Sequence, residues 1–164
     1  MWYLIRQQLE TSRTLVSLDR ERPKQASLRR AVSTAYYAMF QALCELCADT
    51  LVGWDQSWDA VTPIFRSLDH SHASRVLASR SSGVSAQMER LGVLFKELQT
   101  AREWADYSPE PRPNFLSTRR VQPFTSEEAE ALIGLAEEAI RILDSLDPDS
   151  RLLLATRLVT KSRK

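Results

Sequence analysis

The stretch QASLRRAVSTAYYAMFQALCELCADTL, residues 25–51, decides the fold. Its apolar side chains recur every three or four residues, which is the spacing of one face of an α-helix. The apolar set is Leu28, Val32, Ala35, Tyr36, Met39, Phe40, Leu43, Leu46, Cys47 and Leu51. A stripe this wide, with bulky members, is typical of a helix that other elements cover on more than one side. We therefore predict a long central helix over 25–51.

Helical spacing continues on both sides of this segment, and nowhere do apolar and polar residues alternate for long enough to indicate a sheet. Further helices are predicted over about 2–18, 84–107 and 125–146, the last opened by a capping box from Thr125 to Glu128. The polar, serine-rich region 54–82 predicts two short helical pieces and a mobile loop. Within it, Thr62 and Pro63 are typical of an N-cap followed by a first helical position.

Four prolines break the pattern in SPEPRPNFLSTRRVQPF, residues 108–124, and predict a long loop. The fold class is therefore all-α, an up-and-down bundle of four to five main helices over 1–146. A basic C-terminal helix or tail is expected over 147–164.

Composition limits the classes of function. The chain has 164 residues with 22 basic and 21 acidic side chains, a net charge of +1, so no global field attracts a polyanion. No window approaches the roughly 20 apolar residues that span a bilayer, and we expect a cytoplasmic protein with no membrane contact. Cys44 and Cys47 lie on one side of a helix without a second Cys or His pair, which favours buried packing over a metal or redox role. No metal or cofactor is predicted.

Polar groups concentrate at two places where helical spacing predicts packing. They are Ser33, Tyr36 and Tyr37 on the central helix, and Arg102, Asp106 and Tyr107 on the helix ending at 107. Arg102 and Asp106 are four residues apart and can pair within the helix. One interpretation is structural, with the tyrosines filling the core. The other places the two helices antiparallel, with a guanidinium and phenols in a cleft for a phosphate or nucleotide. Spacing assigns Tyr36 mainly to packing, and Ser33 and Tyr37 to the cleft.

Three runs in this order carry a family resemblance: LRRAVSTAYYAMFQAL (28–43), LQTAREWADYSP (98–109) and TSEEAEALIGLAEEAIRIL (125–143). Together they resemble the HEPN family, in particular small prokaryotic members with YYAMF and RxxADY-like runs. The resemblance implies a helical bundle, often a homodimer, in toxin–antitoxin and defence systems. It also implies a possible cognate nucleotidyltransferase acting as antitoxin, and RNA or nucleotide binding in an interhelical or dimer cleft.

Many members of that family are metal-independent endoribonucleases, and others are regulatory partners. Active members share an Arg, then four to six residues and a His. Arg102 matches the Arg position, but no His follows it, and Asp106 or Tyr107 stands where the His would lie. Neither side chain exchanges a proton at neutral pH as well as an imidazole does. His72, five intervening residues after Arg66, satisfies the spacing in another segment and stays a tentative alternative.

The 108–124 loop carries a second group of candidates. Arg119 and Arg120, with Phe115 nearby, could follow a phosphate backbone and stack a base, or could simply be solvated. Three functions remain open: an RNA- or nucleotide-binding HEPN component, an endoribonuclease that uses Arg102 with Tyr107 or His72, and a regulatory partner of a nucleotidyltransferase.

Overall fold

A computed structural model describes residues 3–18, 21–79, 85–109 and 123–160. Within those ranges the chain forms seven helices and no strand, which confirms the all-α prediction. The helices are α1 (Tyr3–Ser17), α2 (Gln25–Leu51), α3 (Trp58–Ser67), α4 (His70–Ala78), α5 (Ala86–Tyr107), α6 (Ser126–Ser145) and α7 (Pro148–Val159).

Helix α2 is the centre of the bundle and packs against α1, α3, α5, α6 and α7. Its alanines let these neighbours approach closely, and five of them are completely buried: Ala31, Ala35, Ala38, Ala42 and Ala48. Large side chains such as Tyr36, Met39 and Leu46 are also completely buried. The width of the apolar stripe in the sequence therefore indicated correctly that α2 is covered on several sides.

The region 54–82 differs in part from its prediction. The two short helices exist as α3 and α4, but α3 begins at Trp58 after Ser57, and Pro63 lies inside it rather than at its start. Pro63 has no backbone N–H, so the hydrogen bond that a helix would make from this position to the carbonyl four residues earlier is missing. The second short helix, α4, begins at His70 and buries Ala73 and Leu77.

Two contacts hold α4 and α2 against α5. Gly92 lies where α4 crosses α5, and a Cβ there would meet the carbonyl oxygen of Leu77 at 2.4 Å. Arg29 donates from Nη1 to the carbonyl of Ser108 at 2.6 Å, and its guanidinium lies 5.1 Å from the Trp104 ring centroid. The glycine permits close packing on one side, and the arginine caps the C-terminus of α5 on the other.

The C-terminal segment also packs on the bundle. Leu154, Ala155 and Leu158 of α7 are completely buried, and α7 contacts α2 and α4. Among the described residues, none of the helices is both long and apolar enough to cross a membrane.

Candidate functional site

Helices α2 and α5 lie antiparallel, as their contacts show. Arg29 near the start of α2 bonds to Ser108 just beyond the end of α5, while Tyr37, further along α2, bonds to Arg102. This arrangement brings the two polar groups of the sequence together between neighbouring helices.

Arg102 is the centre of the site. Its Nη2 donates to the hydroxyl of Tyr37 at 2.5 Å and to that of Tyr107 at 3.3 Å. Its Nε lies 2.9 Å from Oδ2 of Asp106, an ion pair without the alignment of a hydrogen bond. Only 14% of the Arg102 side chain is exposed, against 25% for Asp106. The guanidinium is thus fixed by three neighbours before any ligand arrives.

Aromatic rings surround this guanidinium. Its carbon lies 5.3 Å from the ring centroid of Tyr37, 5.2 Å from that of Tyr107 and 5.9 Å from that of Tyr36. These distances are within the range of cation–π attraction. Tyr107 is 72% exposed and forms the outer edge of the cluster, whereas Tyr36 is completely buried.

His70 joins the site from α4 and was not among the residues predicted from the sequence. The Tyr36 hydroxyl lies 2.7 Å from Nδ1 of His70. The imidazole packs 4.0 Å from the Phe40 ring centroid and 5.9 Å from that of Tyr37. The prediction that Tyr36 packs in the core is confirmed by its burial, but its hydroxyl also positions a histidine.

The surroundings of His70 favour its neutral form. Burial lowers its pKa below the usual 6.5, and the positive charge of Arg102 lowers it further, with Asp69 acting in the opposite direction. Burial also raises the pKa of Tyr36, which keeps that phenol protonated. At neutral pH the site therefore holds a fixed cation, Arg102, and an uncharged imidazole.

Ser33 lies on α2, one helical turn before Tyr37, and its place in the cleft stays a prediction. It is only 1% exposed, and its hydroxyl has no hydrogen-bond partner among the described residues. Gln99, one helical turn before Arg102, is 7% exposed and its Oε1 is likewise unpartnered in the described part of the chain. Buried polar atoms without a hydrogen-bond partner are costly and rare in folded proteins.

The remaining candidates lie elsewhere. His72 uses Nε2 to contact the carbonyl oxygen of Arg157 at 3.1 Å, so it links α4 to α7 and does not join Arg102. Arg119 and Arg120 fall outside the described residues. Cys44 and Cys47 are buried free thiols, as predicted, and burial raises the pKa of each to about 12. No group of three or more potential metal-ligating side chains occurs in the ranges that the structure covers.

A signal for His70 was present in the sequence. Asp69 precedes a run with apolar residues at 73, 76 and 77, the pattern of an N-cap followed by a short amphipathic helix. The Asp69 side chain indeed accepts from the His72 backbone N–H at 2.7 Å. The pattern does not show which residues of other helices α4 contacts.

No family model, curated protein or solved structure matches this chain.

Proposed function

We propose that the chain is a HEPN-type component of a prokaryotic toxin–antitoxin or defence system, and that it binds and cleaves RNA at the site around Arg102. The observation that supports cleavage is the position of His70. The imidazole and the Arg102 guanidinium contact the same pair of tyrosines, Tyr36 and Tyr37. Helix α5, which carries Arg102, has no histidine, and α4 supplies one instead.

The chemistry needs one cation and one group that exchanges a proton. Arg102 would hold the scissile phosphate and the charge that develops on it. In the tautomer in which Nδ1–H of His70 donates to the Tyr36 oxygen, Nε2 carries a lone pair and can accept the proton of a ribose 2′-hydroxyl. The 2′-oxygen then bonds to phosphorus as the bond to the leaving 5′-oxygen breaks. The leaving oxygen takes a proton from water, which yields a cyclic phosphate and a 5′-hydroxyl.

A second candidate is RNA or nucleotide binding without turnover, in which the chain acts as a regulatory partner. The observation in its favour is that Arg102 already contacts Tyr37, Asp106 and Tyr107. A phosphate must compete with the Asp106 carboxylate for the guanidinium. We further propose a cytoplasmic homodimer with a nucleotidyltransferase as cognate antitoxin, in keeping with the family resemblance.

The test is incubation of the purified chain with end-labelled RNA in EDTA, with Arg102→Gln and His70→Gln beside the unmodified chain. His72→Gln is the matched control, because His72 lies on the same helix and contacts α7 instead. Cleavage lost in the first two variants and kept in the control supports the nuclease. Cleavage that survives both substitutions contradicts it. RNA binding that requires Arg102 without any cleavage supports the second candidate.

A further inference from the structure

Two tryptophans are exposed side by side where α2 passes into α3. Trp58 is 72% exposed and Trp54 is 37% exposed, with ring centroids 6.4 Å apart and planes at 34°. Asp55 and Asp59 are the exposed carboxylates next to them in the sequence. We call these four residues the tryptophan surface. None of them belongs to the site around Arg102.

The backbone beneath this surface is well ordered by hydrogen bonds. Gly53, at φ +90°, ends α2 in the left-handed conformation that favours glycine, and its N–H donates to the carbonyl of Ala48 at 3.1 Å. The N–H of Gln56 donates to the Gly53 carbonyl at 3.4 Å, and Ser57 accepts from Val61 at 3.2 Å. The rings are therefore held by a defined turn between two helices, and the protein loses little conformational entropy there when a ligand binds.

The two charged residues of the tryptophan surface, Asp55 and Asp59, are both acidic. No Lys, Arg or His occurs in the sequence between Arg30 and Arg66. Neither Asp55 nor Asp59 makes an ion pair within the described ranges. Two exposed carboxylates next to the tryptophans in the sequence repel a phosphate backbone and attract a cation, which indole rings also bind through their π faces.

We propose that the tryptophan surface binds a basic segment of a partner protein, with arginine or lysine side chains stacked on Trp54 and Trp58 and paired with Asp55 and Asp59. Exposed tryptophan is costly in water and is enriched among the residues that dominate protein interfaces. Charge complementarity selects a basic peptide as the occupant. The proposal does not depend on RNA cleavage at the Arg102 site.

The test uses the full chain and a fluorescent peptide of alternating arginine and serine, with a glutamate–serine peptide as counterpart. At physiological salt, anisotropy should show binding of the arginine peptide alone. Trp58→Ala and Asp59→Asn should each weaken it about fivefold or more, by loss of a cation–π contact or of a charge. Leu152→Ala and Asp149→Asn on α7 remove an exposed apolar group and an exposed carboxylate elsewhere, and should bind as the unmodified chain does.

Three results would overturn the proposal. They are failure of the unmodified chain to bind the arginine peptide, equal weakening in the α7 control variants, and equal binding of the glutamate peptide. Sedimentation velocity adds a separate readout. If Trp58→Ala dissociates a dimer of the chain and leaves peptide binding unchanged, the surface is a contact between copies and the proposal is wrong. Circular dichroism of each variant confirms that the substitutions leave the helices intact.

Discussion

The hydroxyl of Tyr36 lies 2.7 Å from Nδ1 of His70, so a completely buried residue of the central helix α2 orients the one imidazole of the candidate site. The contact joins residues 34 positions apart on two helices. This hydrogen bond thus links the packing of Tyr36 in the core to the position of His70 in the site.

Tyr36→Phe keeps the ring and removes this bond. We expect the free energy of unfolding to fall by about 1–2 kcal/mol, since the partly buried Nδ1 of His70 loses its partner. Urea denaturation measures the change. RNA cleavage should also fall, because the imidazole of His70 is no longer oriented by this bond.

Tyr37→Phe is the control for Tyr36→Phe. It removes a hydroxyl that bonds to Arg102 and leaves the contact of His70 with Tyr36 in place. If Tyr36→Phe is as stable and as active as the unmodified chain, the bond to His70 has neither role.

The stability of the chain should depend on pH through His70. Its pKa is lowered in the folded chain, by burial and then by Arg102, so below about pH 6.5 the unfolded chain binds this proton more readily. The free energy of unfolding should therefore be highest above pH 6.5 and decrease as the pH falls from there towards the lowered pKa. Urea midpoints between pH 7.5 and 5 measure this slope.

His70→Gln should flatten that slope, because the titrating group is gone. His72→Gln keeps His70 and should keep the slope that depends on it. An unchanged slope in His70→Gln would assign the pH dependence to other groups, and would contradict the inferred neutral state of His70 at the site.

Arg102→Met tests the centre of the site. The substitution removes the bonds to Tyr37 and Tyr107 and the ion pair with Asp106. We expect a loss of about 1–3 kcal/mol of stability, because the side chain is largely buried. RNA affinity should fall about tenfold or more, through loss of a charge-assisted phosphate contact.

Arg90→Met, on the same helix, is the matched control. Arg90 is 46% exposed and pairs with Glu138. Arg90→Met should therefore lower stability less than Arg102→Met does, and should leave RNA binding unchanged. Equal effects of the two substitutions on RNA affinity would indicate that charge alone, and not the site around Arg102, determines binding.

The sequence predicted those parts of the structure that depend on local spacing. It placed Arg102 and Asp106 on one face of a helix, and the two groups are indeed an i, i+4 pair. It also assigned Tyr36 to the core. His70 was missed because its role depends on its contact with Tyr36 on α2, and helical periodicity carries no information about which helices become neighbours. The placement of Ser33 in the cleft stays a prediction, because its buried hydroxyl has no hydrogen-bond partner among the described residues.

Asp106→Asn tests whether the ion pair between Asp106 and Arg102 opposes RNA binding. Without the carboxylate, a phosphate no longer competes with a negative charge for the guanidinium. RNA affinity should therefore rise about threefold to tenfold, measured by anisotropy with labelled RNA. Asp144→Asn, an exposed carboxylate on α6, is the control for the general change in net charge. A fall in RNA affinity in Asp106→Asn would show that the carboxylate orients Arg102 for binding.

Gly92→Ala tests how closely α4 must approach α5 for the site to form. The added Cβ would lie 2.4 Å from the carbonyl oxygen of Leu77, and because this contact is with backbone, α4 itself has to move. We expect lower stability, measured by thermal unfolding, and a weaker pH dependence from His70, since α4 carries that residue. Gly134→Ala is the matched control. Apart from the backbone of its own helix, no atom of the described residues lies within 4 Å of the added Cβ. Replacing a glycine inside a helix by alanine should raise stability by about 0.5–1 kcal/mol. If both substitutions stabilise the chain, α4 can adjust without cost, and close packing at Gly92 does not determine the position of His70.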